Sequence, residues 1–207
     1  MTVEMLPWIV ARATGFVAFG LIGCSMIVGL LVRTRGKLGS VKDSGMVDLH
    51  RHLSLLALVA VAVHGTALLL DTTIDITPLA LVVPGLVPYR PIWTGLGVVA
   101  AELALLIHLS FRLRMRIGHR IWRRLHWLTY AVFTLGAVHG ITSGTDSGST
   151  WAIALYGGAV GAVAGLTGWR AANFRRTRPK RGAPRARTGQ TEPVKGSEEP
   201  RPRRAIA

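Results

Sequence analysis

Five apolar blocks divide this chain: residues 7–32, 49–70, 92–111, 125–141 and 151–171. Each approaches the roughly 20 residues that carry a helix across the hydrocarbon core of a bilayer. Charged residues fall between the blocks instead of alternating within them. That segregation excludes a soluble globular domain, in which apolar positions are interrupted at helical or strand spacing. Pro78, Pro84, Pro88 and Pro91 break the chain after the second block, and Gly144 and Gly148 after the fourth. The fourth block is short and begins among arginines, so its boundary is the least defined. The expected fold is all-α: an integral membrane bundle of five transmembrane helices within residues 1–172. Residues 173–207 are rich in Arg, Pro, Gly and Glu with almost no apolar content, and are expected to form a disordered basic tail. The single cysteine, Cys24, excludes a disulfide framework or a thiolate metal site within one chain. The N-terminus lacks the basic stretch and small-residue cleavage site of a signal peptide, so the first block is expected to stay in the mature protein.

A net charge of +15 would by itself invite a nucleic-acid-binding reading. Its distribution says otherwise. Arg33, Arg35, Lys37, Lys42 and Arg51 lie in or beside the first loop. Arg112, Arg114, Arg116, Arg120, Arg123 and Arg124 lie in the third, and the segment from Arg170 onward adds twelve Lys or Arg. The opposite side holds only Arg12 and Arg90, together with Glu4, Asp71, Asp75 and Asp146. The positive-inside rule then places the N-terminus outside and the C-terminus in the cytoplasm, the arrangement an odd number of spans requires. The charge is a topology signal of a multi-pass cell-membrane protein, with some attraction to anionic lipid headgroups. No nucleic-acid partner is expected.

Ionisable side chains inside a span are costly and mark function by default. The second block and its approach hold His50, His52 and His64, and the fourth holds His126 and His139. His50 and His64 are 14 residues apart, which returns to within about 40° of the same helix face after a rise of roughly 21 Å. His126 and His139 are 13 apart, a rise of roughly 20 Å. The two spans run in the same direction, so His50 and His126 share one depth near the cytoplasm, and His64 and His139 share another near the outer face. A flat macrocycle with a central iron needs one axial nitrogen from each side, and this pattern supplies that twice. Thirteen residues turn only about 220° beyond full rotations, so the fourth span must twist, bulge or meet the two rings from different sides, with Gly136 and Gly140 as candidate places for the adjustment. A single intramembrane histidine also serves as an interhelical hydrogen-bond partner, but four at matched depths favour ligation. Zinc fits less well, because the pairs are far apart vertically and have no cysteine or carboxylate neighbours.

The run HRHLSLLALVAVAVH from His50 and the run WRRLHWLTYAVFTLGAVHGITSGTDS from Trp122 resemble the heme-bearing spans of the ferric reductase-like transmembrane domain. That superfamily includes NADPH oxidases, ferric reductases and the heme subunit of a bacterial methionine sulfoxide reductase system. The opening ARATGFVAFG and the GTD triplet at 144–146 resemble its bacterial members, and the likeness covers roughly residues 7–172. The resemblance implies two b-type hemes, an inner one on His50 and His126 and an outer one on His64 and His139. It implies electron transfer across the membrane, as the heme-bearing component of an oxidoreductase. Unlike the large oxidases, the chain has no glycine-rich nucleotide loop between a strand and a helix. A separate cytoplasmic flavin reductase or a membrane quinol is therefore the expected donor, and an extracytoplasmic ferric chelate, oxygen or redox protein the acceptor.

Heme propionates call for cationic partners near the membrane faces. Arg51, Arg123 and Arg124 adjoin the inner ligand positions, although topology alone also accounts for them. Arg12 lies at the outer end of the first block, where topology does not favour it, and is the candidate partner on that side. Tyr130 and Phe133 lie between the two fourth-span ligands and either fill the space between the rings or pack elsewhere. Glu102 is expected to be buried near the middle of the third span, where it is protonated, pairs with His108 or relays protons. Asp146 is expected to hold the outer loop, and Trp8, Trp93, Trp127 and Trp151 to anchor span ends. The rival readings are a one-heme electron-transfer subunit and a colourless, non-redox membrane scaffold that acts through its basic tail.

Overall fold

The structure, a computed structural model, describes residues 5–34 and 43–176. Arg35, Lys37, Lys42 and the basic tail from residue 177 lie outside the described residues. All regular structure among the described residues is helical: α1 (Leu6–Thr34), α2 (Asp43–Leu70), α3 (Pro91–Ile117), α4 (His119–His126), α5 (Thr129–Ser143) and α6 (Thr150–Arg176). Four of these helices, α1, α2, α3 and α6, are long and apolar enough to cross a membrane. Their outward faces carry residues such as Leu55, Leu56, Val59, Leu105 and Leu106, all exposed. A helix that is apolar on its exposed face as well as its packed one is suited to lipid, not water.

The fourth apolar block differs from the expectation of one continuous span. It is split between α4 and α5 by a turn at Trp127–Leu128, and α5 has 15 residues, a rise of about 22 Å. At the turn the amides of Trp127, Leu128 and Tyr130 donate to the carbonyls of Arg124, Leu125 and Trp127, three residues back in each case. Such bonding winds the backbone more tightly than an α-helix. The rotational adjustment between His126 and His139 therefore sits at this turn; α5 runs unbroken through Gly136 and Gly140.

Local chemistry sets the other boundaries. Pro91 opens α3, where the missing amide hydrogen costs nothing, after Arg90 in the left-handed region at φ 45°. Gly118, at φ 82°, ends α3 and launches α4, a backbone conformation that side chains with a Cβ resist. α2 begins at Asp43 and α3 continues to Ile117, each about one to two turns beyond its apolar block, because the polar ends remain helical outside the apolar stretch.

α1 and α2 form an extensively packed antiparallel hairpin, and α3 packs along α5. α6 lies against α1. The core joining α1, α5 and α6 contains Phe19, Met26, Leu30, Phe133, Ala137, Tyr156 and Val163. Phe19 stacks on Phe133 at 5.5 Å between centroids, and Phe16 meets Trp151 edge-on at 4.5 Å. Such aromatic pairs add about 0.5–1.5 kcal/mol beyond the area they bury. Between α2 and α3, a short 3-10 helix at Pro78–Leu81 and the residues Ile76, Ala80 and Val87 build a small separate core over the end of the bundle.

Candidate functional site

α2 and α5, with the α4 end that precedes it, bring the four histidines together in two pairs. The ring centroids of His50 and His126 are 6.1 Å apart with the planes at 81°; those of His64 and His139 are 6.4 Å apart at 77°. A metal held between two imidazoles has a nitrogen about 2.0–2.1 Å away on each side and a ring centroid about 1.1 Å further, which puts the centroids roughly 6.3 Å apart. Both pairs match that separation.

Three of the four rings are fixed by a backbone carbonyl on a neighbouring helix. The Nδ1 of His50 is 2.9 Å from the Ser25 carbonyl, that of His64 is 2.7 Å from Ala11, and that of His139 is 3.0 Å from Trp93. A carbonyl only accepts, so each Nδ1 carries the hydrogen and each Nε2 keeps its lone pair for a ligand bond. α1 thus orients both α2 histidines, and α3 orients His139.

A carbonyl inside a helix is normally covered by the turn that follows it. Here the residue four positions on is glycine in all three cases: Ala11 and Gly15, Ser25 and Gly29, Trp93 and Gly97. A Cβ on Gly15 would lie 3.2 Å from the His64 Nδ1, one on Gly29 would lie 3.1 Å from the His50 Cε1, and one on Gly97 would lie 2.7 Å from the His139 Nδ1. The glycines uncover the carbonyls so that an imidazole can reach them. Gly15 and Gly29 are 14 residues apart on α1, the spacing of His50 and His64 on the antiparallel α2. Sequence reasoning passed over these glycines, although the shared spacing was there to be read.

His126 has an aromatic neighbour. Its ring stacks on Trp122, one turn earlier, with centroids 5.3 Å apart and planes at 26°; Trp122 in turn meets His119 and Phe111. The inner pair also has a hydroxyl chain: the Ser25 Oγ lies 3.1 Å from the His50 Nδ1 and 2.8 Å from the Ser54 Oγ, and Ser54 donates to the His50 carbonyl at 2.8 Å.

A cavity of about 780 Å³ opens around the inner pair, between α1, α2, α3, α4–α5 and the end of α6. Its lining includes Arg51, Arg112, Arg123 and Arg170. Arg112 and Arg170 escaped sequence reasoning because a lone arginine at a span end reads as ordinary topology. Arg51 also pairs with Asp48 at 3.4 Å, and Arg124 is exposed and outside this lining. His108 and His119 line the cavity too, and His52 bonds back to the Asp48 carbonyl of its own helix at 2.7 Å.

At the other end Arg12 forms an ion pair with Asp146 and lies over the Trp8 ring at 4.1 Å. Asp146 therefore ties the α5–α6 loop to α1. Phe133 is buried against Phe19, and the Tyr130 hydroxyl meets Thr167 at 3.2 Å. Glu102 is a correction: it lies on the exposed face of α3, while His108, six residues on, points to the cavity. Six residues turn about 240°, which separates the two. Two buried side-chain donors among the described residues have no hydrogen-bond partner, Trp122 Nε1 and Ser143 Oγ.

The residues therefore suit an iron porphyrin: opposed imidazoles at ligand spacing, defined tautomers for three of them, and a slot with cations at its edge. The family model for the ferric reductase like transmembrane component matches residues 14–137, more than half of the chain. The match includes His50, His64 and His126 and stops two residues before His139. No curated protein and no solved structure matches the chain. Taken with the helices that can cross a bilayer and the opposed histidines they carry, this match makes the chain a member of the ferric reductase-like transmembrane family, a multi-pass integral membrane protein of transmembrane electron transfer.

Proposed function

We propose that this protein passes single electrons across the membrane through two b-type hemes, one held by His50 and His126 and the other by His64 and His139. The two centroid separations, 6.1 and 6.4 Å, carry the reading. Each bound iron porphyrin supplies a one-electron ferric–ferrous couple. The chain does the rest. Its opposed imidazoles would hold the iron from both sides and so keep oxygen and substrates off it. The carbonyls of Ala11, Ser25 and Trp93 hold three ligand rings in register, and a backbone donor–acceptor contact of this kind makes the ligand nitrogen more basic. The histidines of α2 are 14 residues apart, about 21 Å along the helix, which sets the two sites at different membrane depths.

In this reading α4 and α5 together make the fourth of five passes, with the N-terminus outside and the inner pair toward the basic, cytoplasmic side. Residues 1–172 form the electron-transfer domain and residues 173–207 its basic cytoplasmic tail. Arg51, Arg112, Arg123 and Arg170 offset carboxylate charge at the inner slot, with Arg124 one position further along α4. Arg12, already paired with Asp146, is the cation on α1 beside the outer site, next to the Ala11 carbonyl that holds His64. A cytoplasmic flavin reductase or a membrane quinol supplies the electrons, and an acceptor outside removes them.

The test is heme content per chain with the optical spectrum of the purified protein. The expected result is about two low-spin b hemes, with His64→Ala or His139→Ala removing one and His50→Ala or His126→Ala removing the other. A colourless protein, or full heme content in all four variants, overturns the assignment. A stoichiometry near one would move the reading to a one-heme subunit.

A further inference from the structure

Trp122 and Ser143 occupy equivalent places relative to the two ligands on the α4–α5 segment. Trp122 precedes His126 by four residues, and Ser143 follows His139 by four. Residues four apart share a helix face. Each thus lies one turn beyond its histidine, on the side away from the middle of the bundle. Their Nε1 and Oγ atoms are also the two shielded, partnerless side-chain polar atoms among the described residues. Leaving a buried donor unpaired costs about 1–3 kcal/mol, so such groups usually have a partner that completes them.

Neither residue is needed as a donor for the fold. Trp122 already stacks on His126, and its backbone amide bonds to the Gly118 carbonyl at 3.1 Å. Ser143 closes α5, and its carbonyl accepts from the Tyr89 hydroxyl at 3.5 Å. Trp122 lines the inner cavity together with the four arginines. An indole N–H donates only, so its missing partner must be an acceptor. The arginines at the same cavity favour an anionic acceptor there.

We infer that Trp122 Nε1 and Ser143 Oγ are hydrogen-bond donors to the carboxylates of the inner and outer porphyrins respectively, and so turn the acidic edges of the two rings toward opposite membrane faces. The inference rests on the two-heme reading above. It concerns which way each ring is rotated in its slot, which the axial histidines alone leave undetermined because they define only the axis.

The test uses the purified holoprotein and two readouts other than activity: the propionate-bending bands in resonance Raman, and the rate of heme transfer to apomyoglobin. A His64→Ala background isolates the inner heme, and a His50→Ala background the outer. Trp122→Phe, which keeps the stack on His126, should shift the inner propionate band and speed transfer of that heme about tenfold or more, as loss of a bond to a charged acceptor does. Ser143→Ala should do the same for the outer heme. Each substitution should leave the other heme unchanged. Trp122→His and Ser143→Thr retain a donor and should return band and rate toward the parent values, which keeps the test valid should Phe or Ala lower the yield of folded protein. Parental bands and rates in Trp122→Phe and Ser143→Ala, with heme still bound, overturn this inference and leave the two-heme reading standing. A parent protein without heme overturns both.

Discussion

Gly97 lies directly against the His139 ring: a Cβ built on it meets Nδ1, Cε1 and Cγ at 2.7–2.8 Å, closer than real Cβ atoms come. The ring has little room to retreat, because its Nδ1 is bonded to the Trp93 carbonyl on the same stretch of α3. Gly97→Ala should therefore displace the imidazole and lose the heme proposed for His64 and His139. Gly15→Ala and Gly29→Ala, with contacts of 3.1–3.3 Å, need a shift of only a few tenths of an ångström and should lower occupancy less. Gly161→Ala on α6 meets nothing and serves as the control. Heme per folded chain measures all four.

The near-perpendicular ring planes, 81° and 77°, have a spectroscopic consequence. Crossed imidazoles act equally on the two iron d orbitals that parallel planes would split. Both hemes of the proposed pair, when ferric, should therefore give strongly axial low-spin signals in electron paramagnetic resonance. Rhombic spectra for both hemes would mean that the planes are aligned in the loaded protein.

Ser25 offers two acceptors to His50, its carbonyl at 2.9 Å and its hydroxyl at 3.1 Å. Ser25→Ala removes only the hydroxyl, so the ring stays oriented while its nitrogen becomes slightly less basic. The heme proposed for the inner pair should remain bound with its midpoint potential shifted upward, and the one proposed for the outer pair should be unchanged. A redox titration followed in the α-band separates the two.

Arg12 and Asp146 join α1 to the loop before α6, next to the Ala11 carbonyl that holds His64. The side chains are about one-third and one-quarter exposed, so the pair falls between a screened surface bridge and a fully buried one. Arg12→Ala or Asp146→Ala should each cost about 1–2 kcal/mol, and the double variant little more than either single. Thermal denaturation of the four proteins in detergent reads the coupling. Additive losses would show that the pair contributes nothing as a pair.

The proposed five passes place Thr72 and Ser149 on one side of the membrane and His119 on the other. In a Cys24→Ser background, single cysteines at 72 and 149 should react with an impermeant maleimide on intact cells. A cysteine at 119 should react only after the membrane is opened. Labelling at 72 but not 149 would leave α4–α5 as a segment that does not cross.

Much of the site is legible in the amino-acid sequence, because spacing along a helix is a local property. Fourteen residues bring His50 and His64 back to one face whatever surrounds them, and the apolar blocks define helices because no other element satisfies its own backbone in a bilayer. The match in depth between those residues and His126 and His139 follows from counting alone. The fourth block is harder: an apolar run does not reveal that Trp127 and Leu128 tighten into a turn, since that depends on how α4 and α5 each pack. Glu102 shows the same limit. A carboxylate in an apolar run is expected inside the bundle, yet which face of α3 turns inward is decided by its contacts with α5.

Sequence alone therefore determined the helical class, the membrane setting and the four ligand candidates, all of which follow from composition and periodicity within single segments. The tertiary structure decided which atoms meet. It placed the carbonyls of Ala11, Ser25 and Trp93 behind the histidines, put Gly15, Gly29 and Gly97 where a side chain would have blocked them, and paired Arg12 with Asp146 across 134 residues of chain. Such contacts depend on the rotation and offset of one helix against another, and these are settled by packing between segments, which no pattern within one segment records.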